Sequence, residues 1–318
     1  MIDVSVSLYS FSMKFFDGSY DLEDCVRTAS QLGFKGVEIV AAQMVENYPY
    51  PTEEWCARFR ELLQKYRMQP VSYSAYIDMG QYTGRDLTEE EIIQCTLNDM
   101  MYANRLGFPI VRTQHAISPK ILEKMIPYAK KWKVWLGVEL HHPHNCRVDV
   151  WRQYFDLFER VGSDYIGVVP DMGIFQEHPH HSFCQMALEN GIEQGCLEQI
   201  LADFEQGMKQ KALQEKYQIH KPEQLELLNT MYETFHPATF EDLDIMVPHS
   251  KYMHGKFYYI NEQEEDTCIP YKKIADRIKS LGFQGHIAAE YEGHFTDAAV
   301  DCVEQLRRYA NMMHRLLG

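Results

Sequence analysis

Short apolar runs recur along the chain, each followed by a segment whose apolar positions return at helical spacing, which is the sign of βα units and a parallel sheet. Eight units are counted. The first predicted strand spans residues 4–9 with a helix starting near Asp21, and the second spans residues 36–40 with a helix over 52–66. Thr52-Glu53-Glu54 supplies a cap and first-turn acids for that helix, and Leu32-Gly33 stops the one before it. Strands three and four are predicted over 70–76 and 109–113, with helices over 88–106 and 119–131 separated by Leu106-Gly107 and Ser118-Pro119. Strand five covers 135–141 with a helix over 150–161, and strand six covers 165–171. Strand seven follows at 251–259 with a helix over 271–281, and strand eight at 286–291 with a helix over 297–317.

Between strands six and seven the rhythm breaks. Residues 172–248 are too long for one crossover and hold the stretch His178-Pro179-His180-His181, which resembles a metal tract by composition only and is read as a loop, followed by helical patterns over 197–216 and 222–234. The fold class predicted is α/β, a (β/α)8 TIM barrel with a helical insertion after strand six. It is one domain over residues 1–318, with 172–248 as an insertion within it. An insertion there emerges at the C-terminal face of the barrel, where it serves as a lid or a subunit contact, or simply as a solvated helical hairpin.

A chain of 318 residues with 45% hydrophobic content buries a large core. Its formal net charge of −15 argues against nucleic acid or an anionic membrane as partner and in favour of a small, neutral substrate. The 8 cysteines include no C-x-x-C pair, so neither a zinc ribbon nor a redox dithiol is expected. Scattered thiols indicate a reducing cytoplasm. The opening segment carries Asp3 and no basic cluster, and no uninterrupted apolar run reaches the ~18 residues of a membrane span.

The chemistry lies where apolar strands run out. Gly137-Val138-Glu139-Leu140-His141, Val168-Val169-Pro170-Asp171 and Ile287-Ala288-Ala289-Glu290 each end in a carboxylate, and Met253-His254-Gly255-Lys256-Phe257 adds an imidazole. Alternation places Glu139 with His141, His254 with Lys256, and Glu290 with Glu292 on common faces. Acids on an inner barrel face are costly unless paired, so a divalent cation bound by Glu139, Asp171, His254 and Glu290 is expected. This oxygen-rich set suits Mn²⁺ first, then Mg²⁺ or Co²⁺, more than zinc. Alternatives stay open: an Asx-turn for Asp171, His249 in place of His254, and Glu292 in place of Glu290. His141 is the candidate general base or acid, ahead of His142 and His144. Lys256, Arg112, His115 and His294 are candidate substrate contacts, with an ion pair as the plain role for Lys256. No phosphate-binding glycine motif, nucleophile elbow or H-E-x-x-H occurs.

The four strand-end ligands resemble those of the xylose isomerase-like superfamily of sugar isomerases and epimerases. Within it, Ser7-Leu8-Tyr9-Ser10-Phe11, Pro170-Asp171-Met172-Gly173-Ile174-Phe175, His254-Gly255-Lys256-Phe257-Tyr258 and Glu290-Tyr291-Glu292-Gly293-His294 are similar to the catalytic α subunits of bacterial C-glycoside deglycosidases. That resemblance implies a Mn²⁺-dependent carbon-carbon lyase acting on 3-oxo C-glycosides with flavonoid-type aglycones, in a hetero-oligomer with a small β-sandwich subunit. It also implies catalytic roles for His141, Glu139 and Glu290. The superfamily's epimerases use two metal-bound Glu as acid and base, whereas His141 beside Glu139 offers a separate base here. The competing expectation is a sugar or inositol-derivative isomerase or epimerase acting alone. An endonuclease IV-like role is disfavoured by the acidic charge, and a non-catalytic sugar-binding barrel is the plainest alternative.

Overall fold

The computed structural model describes residues 1–235, 237–293 and 300–318. Its strands are β1 (Ile2–Ser7), β2 (Gly36–Val40), β3 (Gln69–Ser74), β4 (Ile110–Thr113), β5 (Trp135–Leu140), β6 (Ile166–Pro170), β7 (Tyr252–Phe257) and β8 (Gly285–Tyr291). They form an 8-stranded sheet in the order β6-β5-β4-β3-β2-β1-β8-β7, with every ladder parallel. Between β6 and β7 the sheet is joined by an isolated parallel bridge, Asp171 to His254. The fold is therefore a nearly closed (β/α)8 barrel, and its seam lies at two of the residues expected to bind metal.

Local sequence explains the outer helices. Glu89–Leu106 opens with a Thr88/Glu91 capping box and ends at Gly107, whose φ of 89° is the left-handed conformation that glycine adopts at least cost. Pro119–Trp132 opens on Ser118, whose hydroxyl accepts from Ile121 N–H, with proline in the first turn. Helix Glu53–Lys65 turns Trp55 and Phe59 inward, and Phe59 continues the ring stack onto Phe108 against the outer face of β3.

Inside the barrel, residues of like parity form two levels. The lower level is apolar: Val71, Ile110, Trp135, Val169, Tyr252 and Ala288 pack together. The Trp135 indole fits because glycines face it. A Cβ at Gly137 would lie 2.2 Å from the indole, and one at Gly167 would lie 2.7 Å from it and 2.0 Å from the His249 carbonyl oxygen. One step further along the same strands come the charged residues of the upper level.

The insertion contains helices His181–Glu189, Gln194–Glu205, Gln210–Lys216 and Pro222–Thr234, which bury their own cluster around Phe183, Leu197, Leu213 and Met231. The expected loop extends through His180, and His181 begins the first of these helices. His180 caps the first of these helices, its Nδ1 accepting from Phe183 N–H, a role outside the usual Ser/Thr/Asp/Asn capping set. The His180 ring also stacks on Tyr258 at 3.7 Å, joining the insertion to the barrel rim. Two other boundaries differ. β1 ends at Ser7 because residues Leu8–Phe11 turn over the barrel mouth as a 3-10 helix, and the last helix runs over Cys302–Leu317, the expected start at Asp297 lying outside the described residues. Among the described residues, no helix is long and apolar enough to cross a membrane.

Candidate metal centre and active site

Parallel pairing brings strand ends together at one rim, so residues far apart in sequence meet. Glu139 is the penultimate residue of β5, Asp171 follows β6, His254 lies on β7 and Glu290 on β8; one ligand atom from each lies within 4.8 Å of all the others, and all four residues are buried. Glu290 occupies the cluster, with Glu292 two residues nearer the rim. His249 lies outside it, before β7, and pairs with Glu159 at 2.9 Å. Asp171 makes the Asx-type turn and also belongs to the cluster. Its Oδ1 accepts from Gly173 N–H at 2.7 Å, while Oδ2 faces the cluster.

The sequence reading missed Glu38. This acid is fully buried in the middle of β2, and both of its oxygens lie 3.1 Å from His254 Nε2. Ser7 donates to Oε1 at 2.7 Å and Tyr252 to Oε2 at 2.9 Å. A carboxylate only accepts when ionised, so His254 Nε2 carries the hydrogen and Nδ1 is turned into the cluster, the orientation a metal-binding imidazole needs. The one sequence signal was a lone acid inside the apolar run Gly36-Val37-Glu38-Ile39-Val40.

Two cations complete the upper level. Arg112, buried on β4, reaches Glu139 at 3.2 Å and Glu290 at 3.5 Å, and Lys256 reaches Asp171 at 2.8 Å, Glu292 at 3.1 Å and Glu290 at 3.4 Å. Glu38, Glu139, Asp171, Glu290 and Glu292 are five acids against these two fixed cations, leaving three negative charges unmatched when His254 is neutral. Protonation of His254 is one remedy. Burial opposes that charge, but Glu290 and Glu38 outweigh it and push the imidazole well above its ordinary value, with Nδ1 2.7 Å from Glu139 and 3.3 Å from Glu290. Burial likewise opposes ionisation of Glu139, yet Arg112 and His254 hold it down to about 2. Glu290 is held well below the usual carboxylate range by His254 and Lys256 despite its burial. Asp171 and Glu292 are raised by burial, which Lys256 offsets only in part.

A divalent ion is the other remedy, and the residues fit one. Asp171 Oδ2, Glu290 Oε2 and His254 Nδ1 are buried without a well-formed hydrogen bond among the described residues, and all belong to the same small cluster. Replacing the His254 proton by a dication removes two of the three unmatched charges and gives these atoms a common partner.

Above the cluster is a cavity of about 380 Å³ whose walls include Tyr9, Tyr76, His141, His142, Lys256 and Glu292. His141, immediately after β5, is half-buried. Its Nδ1 lies 2.7 Å from the His142 carbonyl oxygen, which only accepts, so Nδ1 carries a hydrogen and Nε2 is the nitrogen left to exchange a proton with a ligand. That orientation suits a general acid or base. His144 Nδ1 instead accepts from Trp151 Nε1 at 3.2 Å, and its ring sits edge-on to His115. His115 is exposed and apart from the lining of this cavity, and His294 lies outside the described residues. Arg112 lines the cavity but spends its guanidinium on the buried acids.

The chain has curated relatives over nearly its whole length. A 3'-dehydrocarminate deglycosidase alpha subunit from Microbacterium sp is 26% identical over 332 residues, covering 99% of this chain and 95% of the relative. A C-glycoside deglycosidase alpha subunit from Microbacterium trichothecenolyticum is 28% identical, covering 91% and 83%. Among solved structures, the IOLI protein with a binding zinc atom superposes with a TM-score of 0.59 at 13% identity over 99% of this chain and 98% of that one, which shows the shared fold. The family model for the xylose isomerase-like TIM barrel matches residues 26–309, and the chain belongs to that family.

Proposed function

We propose that this protein is the catalytic subunit of a C-glycoside deglycosidase, a carbon-carbon lyase that releases an aromatic aglycone from a 3-oxo C-glycoside. The single observation that carries this reading is an imidazole, His141, anchored through Nδ1 in the wall of a sugar-sized cavity above the Glu139/Asp171/His254/Glu290 cluster. The names of its relatives support it over nearly the whole chain.

These four residues would hold the ion, Mn²⁺ by our proposal, which when bound supplies Lewis acidity to the C3 ketone and a neighbouring hydroxyl. His141 Nε2 takes the proton from C2. The C2–H electron pair becomes a C1–C2 double bond conjugated with the C3 ketone, and the C1–aglycone bond breaks with its electrons going to the aglycone carbon. That carbon is protonated from an acid or through the aglycone's phenolic tautomer, so atoms and charge balance. Lys256, paired with Glu290 and Glu292, would hold a sugar oxygen. Glu38 positions His254 throughout. A small β-sandwich partner subunit, a single barrel domain with 172–248 as its rim insertion, and a cytoplasmic setting for eight unpaired thiols are parts of the same proposal.

The test measures metal content by elemental mass spectrometry and aglycone release from a 3-oxo C-glucoside, with Mn²⁺ and the partner subunit present. About one ion per chain is expected, lost in Glu290→Ala, with release abolished in His141→Ala while its metal is kept. No bound metal in the wild-type protein would sink the mechanism. Solvent deuterium entering the sugar at C2 without release of aglycone would establish the epimerase chemistry instead.

A further inference from the structure

Beside the catalytic cavity lies a second one of about 670 Å³, larger than the first and formed by the segment after β2, the segment after β3 and the helix Glu89–Leu106. Tyr76 lines both, so the two cavities share one wall. The smaller cavity matches a sugar ring. A C-glycoside also carries a polycyclic aromatic group attached rigidly at C1, which needs its own volume within the ~300–1,000 Å³ typical of ligand sites.

The second cavity has the chemistry for that group. Tyr48, Tyr50, Tyr76, Ile77 and Met101 give it aromatic and apolar walls. In one wall sits Asp99, only 2% exposed. The Tyr48 hydroxyl hydrogen-bonds to this carboxyl, yet its Oδ1 has no hydrogen-bond partner among the described residues. A buried carboxylate oxygen left unpaired costs stability, and the barrel fold does not require an acid at this position of an outer helix. An acceptor bordering an aromatic slot is suited to a phenolic hydroxyl, which is donor and ring in one group. Asn98 Nδ2 donates to the Pro49 carbonyl at 2.8 Å and so fixes the lip of the slot.

We propose that this cavity is the subsite for the phenolic aglycone, with Tyr76 dividing sugar from aglycone and Asp99 accepting a hydrogen bond from a ring hydroxyl. The assignment rests on the lyase reading above. It explains why a wide, tyrosine-rich groove opens next to a compact, charged sugar site.

Titration calorimetry on the full-length, Mn²⁺-loaded protein tests it, with a trihydroxyflavone and unsubstituted flavone as probes. Wild type binds the trihydroxyflavone more tightly, and Asp99→Asn weakens that probe by roughly tenfold or more with little effect on the unsubstituted one. Met101→Trp, at an exposed position in the wall, weakens both probes by narrowing the slot and guards against a folding defect in the buried variant. Equal binding of both flavones by all three proteins overturns the subsite. So does aglycone release from a 3-oxo C-glucoside with KM unchanged in both variants, an outcome that leaves the lyase activity standing. Tight flavone binding by wild type without any release of aglycone from the C-glucoside overturns the lyase reading, and with it the aglycone role of the cavity.

Discussion

The two levels of the barrel interior are built from the same strands and do opposite work. The lower level, Val71, Ile110, Trp135, Val169, Tyr252 and Ala288, is apolar and closely packed, with Gly137 and Gly167 admitting the indole. The upper level holds Glu38, Arg112, Glu139, Asp171, His254, Lys256 and Glu290, all but Lys256 buried. Burial of apolar surface stabilises the first. In the second, desolvation of so many ions roughly cancels their mutual attraction, so that level adds little to stability. Tyr252 joins the two: its ring packs in the floor and its hydroxyl donates to Glu38.

This contrast can be broken first from below. Trp135→Ala should cost about 3–5 kcal/mol of stability, read as a lowered denaturation midpoint, while the metal bound per folded chain stays unchanged. A variant with wild-type stability would show that the floor does not anchor the barrel.

From above, the largest change in binding without loss of fold should come from Glu38→Gln. The amide keeps the shape but removes the charge that fixes the His254 tautomer, and such outer partners are worth roughly 10–100-fold in metal affinity. Competition with a chelator measures this, and an unchanged affinity would remove Glu38 from the account.

The smallest effect sharpens the comparison by using a buried acid that has no cation. Asp99 is raised to about 7, mainly by burial, with only the Tyr48 hydroxyl opposing. The other titratable groups near it, Tyr73 and Cys95, are neutral at that pH. Between its unfolded value of 3.8 and about 7 the native state binds the proton more tightly than the unfolded chain, so stability falls as pH rises through that window. The slope is at most about 1.4 kcal/mol per pH unit. Asp99→Asn should flatten it, measured as the denaturation midpoint against pH; an identical profile in the variant would assign the slope elsewhere.

Much of this was legible in the chain. Alternation on a strand is local, so Glu139, Asp171, His254 and Glu290 announced themselves as inward-facing residues at the ends of apolar runs, and caps such as Thr88/Glu91 and Ser118-Pro119 marked the helices between them. What a short run cannot show is which strands become neighbours across the barrel. Glu38 and His254 are 216 residues apart and meet only because the sheet curls until β6 and β7 close at Asp171 and His254. Nor does a short run show that Arg112, which lines the cavity, also pairs with two buried acids, or that His115 is exposed beside His144. The cavity at Asp99 was illegible for a related reason: one acid on an amphipathic helix reads as solvated until the fold packs it against Tyr48 and the outer face of the barrel. The sequence by itself determined the barrel, the order of its units and the kind of ligand offered at each strand end, because those follow from periodicity and local propensity. Only the tertiary structure decided which ligands converge, which imidazole nitrogen faces them and where the second cavity lies, because burial and charge pairing depend on contacts between residues the chain keeps far apart.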